Sequence, residues 1–120
     1  MTDASWPAPG SAVTAGTLTI RPIQRLAGRR GLLLHGEADL NSCGALRRAL
    51  RALMPAGSGE IHLELAGLTF IDVSCTRELV TLAQFARPAR VILHHPPWSL
   101  QRITTLAWPQ ASIDVASAGD

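Results

Sequence analysis

The apolar and polar positions of the chain change their period several times, and each change predicts a different element. Residues 17–24 alternate between apolar and polar side chains, which predicts a half-buried strand. We expect this strand at a sheet edge, because Pro22 has no N–H to donate to a ladder. A turn at 27–31 leads into a second predicted strand, Leu32 to Glu37, so a β-hairpin opens the domain.

Three later stretches have apolar residues at helical spacing and predict three helices. The first carries arginines opposite its apolar stripe and ends before Pro55, which stops a helix. The second runs from near Cys75 to Phe85, and the third follows Pro96 and Pro97. The inner face of the third is expected to contain Leu100, Ile103 and Leu106.

Three further strands are predicted between and after the helices. Ile61 to Leu65 alternates, whereas Val91 to Leu93 is wholly apolar, as is typical of an interior strand. Ser112 to Val115 is a weak last strand. Strands alternating with helices predict an α/β fold, with a mixed, mostly parallel sheet of four to five strands packed with helices.

Length and composition favour a single globular domain. The chain has 120 residues, of which 47% are hydrophobic and 17% charged. Residues 1–15 resemble a disordered leader, 16–116 the domain and 117–120 a tail. No apolar run is long enough to span a bilayer and no signal peptide is recognisable, so we expect a cytoplasmic protein without membrane insertion.

The charge pattern argues against a nucleic-acid partner. The formal net charge is only +2, and aromatic residues for base stacking make up 4% of the chain. The cluster Arg47, Arg48 and Arg51 is interpreted as the solvated face of the first helix, with a phosphate-binding patch as the alternative.

No enzyme or metal motif is recognisable. A serine hydrolase could be imagined from Ser74 and the histidines, but the chain lacks the G-x-S-x-G elbow, a P-loop and G-x-G-x-x-G. The histidines lack the spacing of a metal site, so packing in or near strands is the preferred interpretation. We therefore predict no catalytic residue, no metal and no cofactor. The histidines in question are His35, His62, His94 and His95.

The two cysteines, Cys43 and Cys75, are predicted to open the first and second helices. Two reduced, partly buried thiols are the default interpretation in a cytosolic protein. A redox-sensitive switch is the alternative, because a helix N-terminus lowers the pKa of a thiol.

Three segments together resemble the STAS family, the sulfate-transporter and anti-sigma-factor-antagonist domain. Gly36 to Leu40 (GEADL) is similar to the family's G-E-L/I-D before its first helix. Leu68 to Thr76 (LTFIDVSCT) resembles L-x-F-x-D-S-S-G-L, the turn that carries the family's phosphorylatable serine. Pro97 to Ile103 (PWSLQRI) resembles the family's C-terminal P-x-x-x-R-x-L helix. The chain departs from the motif at Val73, where the family has serine, and at Cys75, where it has glycine.

The resemblance implies a non-enzymatic bacterial regulator, an anti-sigma factor antagonist. Its partner would be an anti-sigma factor that is also a serine kinase of the GHKL type, and phosphorylation of Ser74 would end the interaction. A kinase-independent scaffold or a transporter-accessory module is the alternative, and a monomer or weak dimer is expected. From the residues alone, Ser74 is interpreted as a helix N-cap, and Asp39 and Asp72 as cap or loop carboxylates. The partner-binding residues implied are Asp39, Asn41, Asp72, Val73, Ser74, Cys75 and Thr76.

Overall fold

The computed structural model of the chain describes residues 12–24, 30–54, 59–110 and 113–115. These residues form six strands and three helices. The strands are β1 (Val13–Ala15), β2 (Leu18–Gln24), β3 (Arg30–Ala38), β4 (Glu60–Ile71), β5 (Arg90–His94) and β6 (Asp114–Val115). The helices are α1 (Cys43–Arg51), α2 (Val73–Phe85) and α3 (Trp98–Ala107).

The strands form one mixed sheet in the order in which they occur in the chain, β1-β2-β3-β4-β5-β6. The pairs β1–β2 and β2–β3 are antiparallel, and the three pairs from β3 to β6 are parallel. The predicted fold class and opening hairpin are confirmed, with six strands in place of four to five. The extra strand is β1, which lies within the range predicted as a leader.

The prediction that Pro22 lies on an edge strand was wrong. Strand β2 has β1 on one side and β3 on the other. The β1 register ends where Val13 pairs with Ile20, however, and Pro22 pairs with Leu32 of β3. Within the described residues, the proline therefore lies just beyond the end of β1, where no β1 ladder bond needs its missing N–H.

The hydrophobic core lies between one face of the sheet and all three helices. Alternate residues of β4, among them Ile61, Leu63 and Leu65, are completely buried in it. Leu46 of α1, Leu79 of α2 and Leu100 of α3 pack into the same cluster. This one-sided arrangement is expected when successive parallel strands are joined by crossovers of the same hand.

Two predicted boundaries were wrong in ways that matter for the site. The strand predicted from Ile61 to Leu65 continues in β4 through Ile71, because β3 continues to pair with it across two irregularities. Helix α2 then begins at Val73, without a long loop. In α3, Leu100 is buried as predicted, but Leu106 is 73% exposed and does not belong to the inner face.

Some predictions lie outside the described residues. They concern most of the leader, most of the turn at 27–31, most of the loop at 56–59, and the tail at 117–120. Within the described part of the chain, no helix is long and apolar enough to cross a membrane.

Candidate functional site

Two loops meet at the end of the sheet where the parallel strands β3 and β4 finish. The Asp72 N–H donates a hydrogen bond to the carbonyl oxygen of Ala38 over 3.0 Å. The Cys75 thiol donates to the carbonyl oxygen of Asp39 over 3.3 Å. The parallel β3–β4 pairing thus brings together two segments that are more than thirty residues apart in the chain.

Asp72, rather than Ser74, is the N-cap of α2. Its backbone is extended, and its Oδ1 accepts the Cys75 N–H over 2.9 Å, which satisfies one of the free donors of the first helical turn. The same Oδ1 accepts the Ser74 hydroxyl hydrogen over 2.7 Å. The interpretation of Asp72 as a cap is confirmed, and that of Ser74 as a cap was wrong. Ser74 lies in the first turn, with its hydroxyl oriented by the capping carboxylate.

Asp39 organises the neighbouring loop. Its carboxylate accepts the Asn41 N–H over 2.9 Å, which closes a local turn before α1. The Ser42 hydroxyl lies 2.9 Å from the Asp39 N–H, which donates to it, and the hydroxyl also lies 3.1 Å from the Asp39 carbonyl oxygen. The carboxylate of Asp39 therefore stabilises the loop that contains it, in agreement with its interpretation as a loop carboxylate.

The predicted partner-binding residues divide into an exposed and a buried set. Asn41 and Val73 are exposed, and Asp39, Asp72 and Ser74 are partly exposed. Cys75 and Thr76 are completely buried, and the Thr76 hydroxyl donates to the carbonyl oxygen of Asp72 over 2.8 Å. The side chains of Cys75 and Thr76 support the turn from inside and do not form its surface.

Two exposed apolar residues at this end were missed. Leu40 is 77% exposed and lies between Asp39 and Asn41, and Phe70 is 44% exposed near the end of β4. An apolar residue directly after a strand, inside a polar loop, was the available signal for Leu40. Phe70 carried no signal, because its exposure follows from the irregular register between β3 and β4. We refer to Asp39, Leu40, Phe70, Asp72, Val73 and Ser74 as the switch surface.

The two thiols lie beneath the switch surface, and both are buried and free. Burial is the main reason why the pKa of Cys75 is raised, and the adjacent Cys43 thiol and the Asp72 carboxylate raise it further. The lowered pKa expected from a helix N-terminus is therefore wrong for Cys75. The free thiols agree with the default interpretation.

This arrangement determines which chemistry is available at Ser74. The hydroxyl is partly exposed and is hydrogen-bonded to a carboxylate. A phosphate there would accept hydrogen bonds from free N–H groups at the N-terminus of α2 and would interact favourably with the positive end of the helix dipole. It would also place about −1.5 to −2 charges beside the Asp72 carboxylate, in place of the present hydrogen bond.

Three of the four histidines, His62, His94 and His95, form a separate cluster on the face of the sheet opposite to the helices. His62 Nδ1 of β4 lies 2.7 Å from His94 Nε2 of β5, so one ring donates and the other accepts, and both rings are buried. His62 Nε2 lies 3.0 Å from Glu60 Oε1, and His95 Nδ1 lies 3.0 Å from Glu64 Oε2. Among the described residues, no group of three or more His, Cys, Asp or Glu is arranged to hold a metal ion. We call Glu60, His62, Glu64, His94 and His95 the histidine face.

The chain belongs to the STAS domain family. The family model described as "Mlab, STAS domain" matches residues 24–107. No curated protein matches the chain at a significant level. The predicted family is thus confirmed.

Solved structures agree with this assignment at the level of the fold. The unphosphorylated anti-sigma factor antagonist SpoIIAA superposes with a TM-score of 0.64 at 15% identity, over 82% of this chain and 87% of that one. An anti-sigma factor antagonist from Mycobacterium paratuberculosis gives a TM-score of 0.65 at 18% identity, over 92% and 89%. The murine anion transporter Slc26a9 gives a TM-score of 0.58 at 13% identity, over 79% of this chain but only 17% of the transporter. At these identities the likeness establishes the shared fold.

Proposed function

We propose that the protein is a cytoplasmic anti-sigma factor antagonist without catalytic activity. It binds an anti-sigma factor that is also a serine kinase of the GHKL type, and thereby releases a sigma factor. Phosphorylation of Ser74 ends the interaction. The observation that carries the proposal is the partly exposed Ser74 hydroxyl, held 2.7 Å from Asp72 on the switch surface. Two of its structural neighbours are described as anti-sigma factor antagonists, which supports the same proposal.

The switch surface combines apolar contact with electrostatic sensitivity. Leu40, Phe70 and Val73 expose apolar area on this surface, and such area drives association when a partner covers it. A phosphate on Ser74 would add charge to the same surface, close to Asp72. Burying such unpaired charge at an interface costs several kcal/mol, which is sufficient to end the binding.

Mass spectrometry tests the kinase reaction directly. The protein is incubated with Mg-ATP and with each GHKL-type anti-sigma factor encoded in its own genome, and then digested. We expect a gain of about 80 Da, the mass of one phosphoryl group, on the peptide that contains Ser74. Ser99 is the matched control, because it occupies the same position in the first turn of α3 as Ser74 does in α2. Label on Ser99 alone, or no label with any of these kinases, would contradict the proposal.

Binding tests the second half of the proposal. We expect Ser74→Ala to bind the anti-sigma factor as the unmodified protein does, and Ser74→Asp to bind at least about tenfold more weakly, because of the added charge. Ser99→Asp controls for added charge elsewhere and should bind normally. Isothermal titration calorimetry measures all three, and sedimentation of the free protein tests for the expected monomer or weak dimer.

A kinase-independent STAS scaffold, or an accessory module of a transporter, is the second candidate. It is favoured by Val73 and Cys75, which occupy positions where the family motif has serine and glycine. Unlabelled Ser74, together with tight binding to a transporter subunit that Ser74→Asp leaves intact, would favour this candidate.

A further inference from the structure

A groove runs between α1 and α2 towards the C-terminal ends of both helices, away from the switch surface. It encloses about 340 Å³. Leu50 and Leu82 line it from the two helices, Met54 lies at one end, and Phe85 forms an outer wall. Phe85 lies about 16 Å along α2 from Ser74, given a rise of about 1.5 Å per residue. The groove is therefore separate from the switch surface.

Phe85 is 72% exposed although it adjoins buried apolar neighbours. Its side chain extends the apolar lining of the groove out to solvent. A concave apolar strip between two helices is the form that receives the apolar ridge of an amphipathic helix. An exposed aromatic residue at its edge can serve as an anchor for such a contact.

The charges around the groove favour an acidic partner. Helix α1 contains three arginines and no acidic residue. Arg47 donates two hydrogen bonds to Glu78 of α2, at 3.0 and 3.1 Å, and this ion pair bounds the groove at its end nearer the switch surface. Among the described residues, neither Arg48 nor Arg51 pairs with a carboxylate. Arg51 lines the groove, and Arg48 is exposed on the same helix.

We propose that this groove is a docking site for an acidic amphipathic helix of a partner protein. Apolar side chains of that helix contact Phe85 and Met54, above a floor formed by the buried Leu50 and Leu82, and its flanking carboxylates pair with Arg48 and Arg51. The proposal does not depend on the chemistry of Ser74. It assigns a role to the arginine cluster that the sequence alone presents as a solvated face.

A pair of synthetic peptides tests the proposal. Each forms about five helical turns, with Leu and Phe at i, i+4 and i+7, and carries either Glu or Lys along both flanks. We expect the full-length protein to bind the Glu peptide about tenfold more tightly than the Lys peptide, as measured by fluorescence anisotropy. Amide chemical-shift changes should centre on Leu50, Leu82 and Phe85.

Variants distinguish peptide binding in the groove from a general effect of the protein's charge. The change Arg51→Glu, and separately Phe85→Ser, should each weaken binding of the Glu peptide by about tenfold. Arg77→Glu on α2 and Trp98→Ser on α3 are the matched controls, because both residues are exposed and lie outside the groove lining. Both controls should bind the peptide as the wild type does.

Three outcomes would overturn the proposal. The first is equal affinity for the Glu and Lys peptides, and the second is an equal loss in the variants and the controls. The third is concentration-dependent dimerisation of the wild type, abolished by Phe85→Ser, which would identify a second copy of the chain as the occupant. None of these outcomes bears on the Ser74 proposal, which is tested by phosphorylation and by anti-sigma factor binding.

Discussion

The side-chain bonds of the switch surface and of the histidine face differ in the sequence separation that they span. At the switch surface, the carboxylate of Asp72 binds groups two and three residues away, and that of Asp39 binds a group two residues away. On the histidine face, the bond of His62 to Glu60 is also local, but His62 binds His94 and Glu64 binds His95 over separations of 32 and 31 residues. The first cluster is partly exposed, and the centre of the second is buried.

This difference determines which polar groups remain available to a partner. The bonds of the switch surface leave Asp72 and Ser74 partly exposed. The bond between His62 and His94 is buried between two neighbouring strands. We therefore expect substitutions on the switch surface to affect binding more than stability, and those at the centre of the histidine face to do the reverse.

Gly36 of β3 should give the largest effect on stability, because the backbone of Thr17 lies too close to it to leave room for a side chain. Its φ is +103°, and a Cβ there would collide with the carbonyl oxygen of Thr17. We expect Gly36→Ala to lower the free energy of unfolding by more than about 3 kcal/mol, as measured by urea denaturation. Gly44→Ala, in helix α1 where there is space for a Cβ, should raise it by about 0.5 kcal/mol. Equal changes in the unfolding free energy of Gly36→Ala and Gly44→Ala would show that the Thr17 backbone does not restrict the residue at position 36.

His62→Ala should give the second largest effect. It removes a buried ring together with its hydrogen bonds to His94 and Glu60, which costs about 2–3 kcal/mol. His35→Ala is the matched control, because His35 is exposed, and it should change the unfolding free energy by less than about 0.5 kcal/mol. Thermal and urea denaturation measure both variants. If His62→Ala lowered the unfolding free energy no more than His35→Ala does, the centre of the histidine face would not have the expected role in stability.

Asp72→Ala should have a moderate effect on stability. The loss of the N-cap acceptor costs about 1–2 kcal/mol. Asp39→Ala, which loses only the local bond to Asn41, should cost less than about 0.5 kcal/mol. Both variants should weaken anti-sigma factor binding more than His62→Ala does, when each is compared at a temperature where all are folded. If His62→Ala instead weakened anti-sigma factor binding more than Asp72→Ala and Asp39→Ala, the proposed difference between the two clusters would be contradicted.

Glu64 should give the smallest effect, and one that depends on pH. Burial by itself would raise the pKa of Glu64, but the hydrogen bond with His95, the Ala66 N–H and the nearby histidines together lower it. A lowered pKa contributes stability above the unfolded-state pKa of about 4.3, and this is lost as the pH falls through the folded-state pKa. Glu64→Gln should therefore flatten the acid limb of the stability curve and leave the shape unchanged above about pH 6. Glu37→Gln, at an exposed position of β3, is the control. An acid limb equally steep in Glu64→Gln and the wild type would contradict the assignment.

The sequence by itself determined the family, the order of the main elements and the Asp72–Ser74 turn of the switch surface. These depend on short-range patterns: apolar alternation in strands, helical spacing, and the Asp72–Ser74 turn, whose bonds span three residues or fewer. Such contacts involve residues close together in the chain, so the motif is sufficient to locate them.

Only the tertiary structure decided the rest, because it depends on register and packing between distant segments. The pairing of His62 with His94 follows from the β4–β5 register, and the exposure of Phe70 follows from the irregular β3–β4 register. Cys75 and Thr76 are buried because α2 begins at Val73 and turns them towards the core. The groove beside Phe85 exists only because α1 and α2 pack side by side. No local pattern in the sequence encodes which residues two such elements bring together.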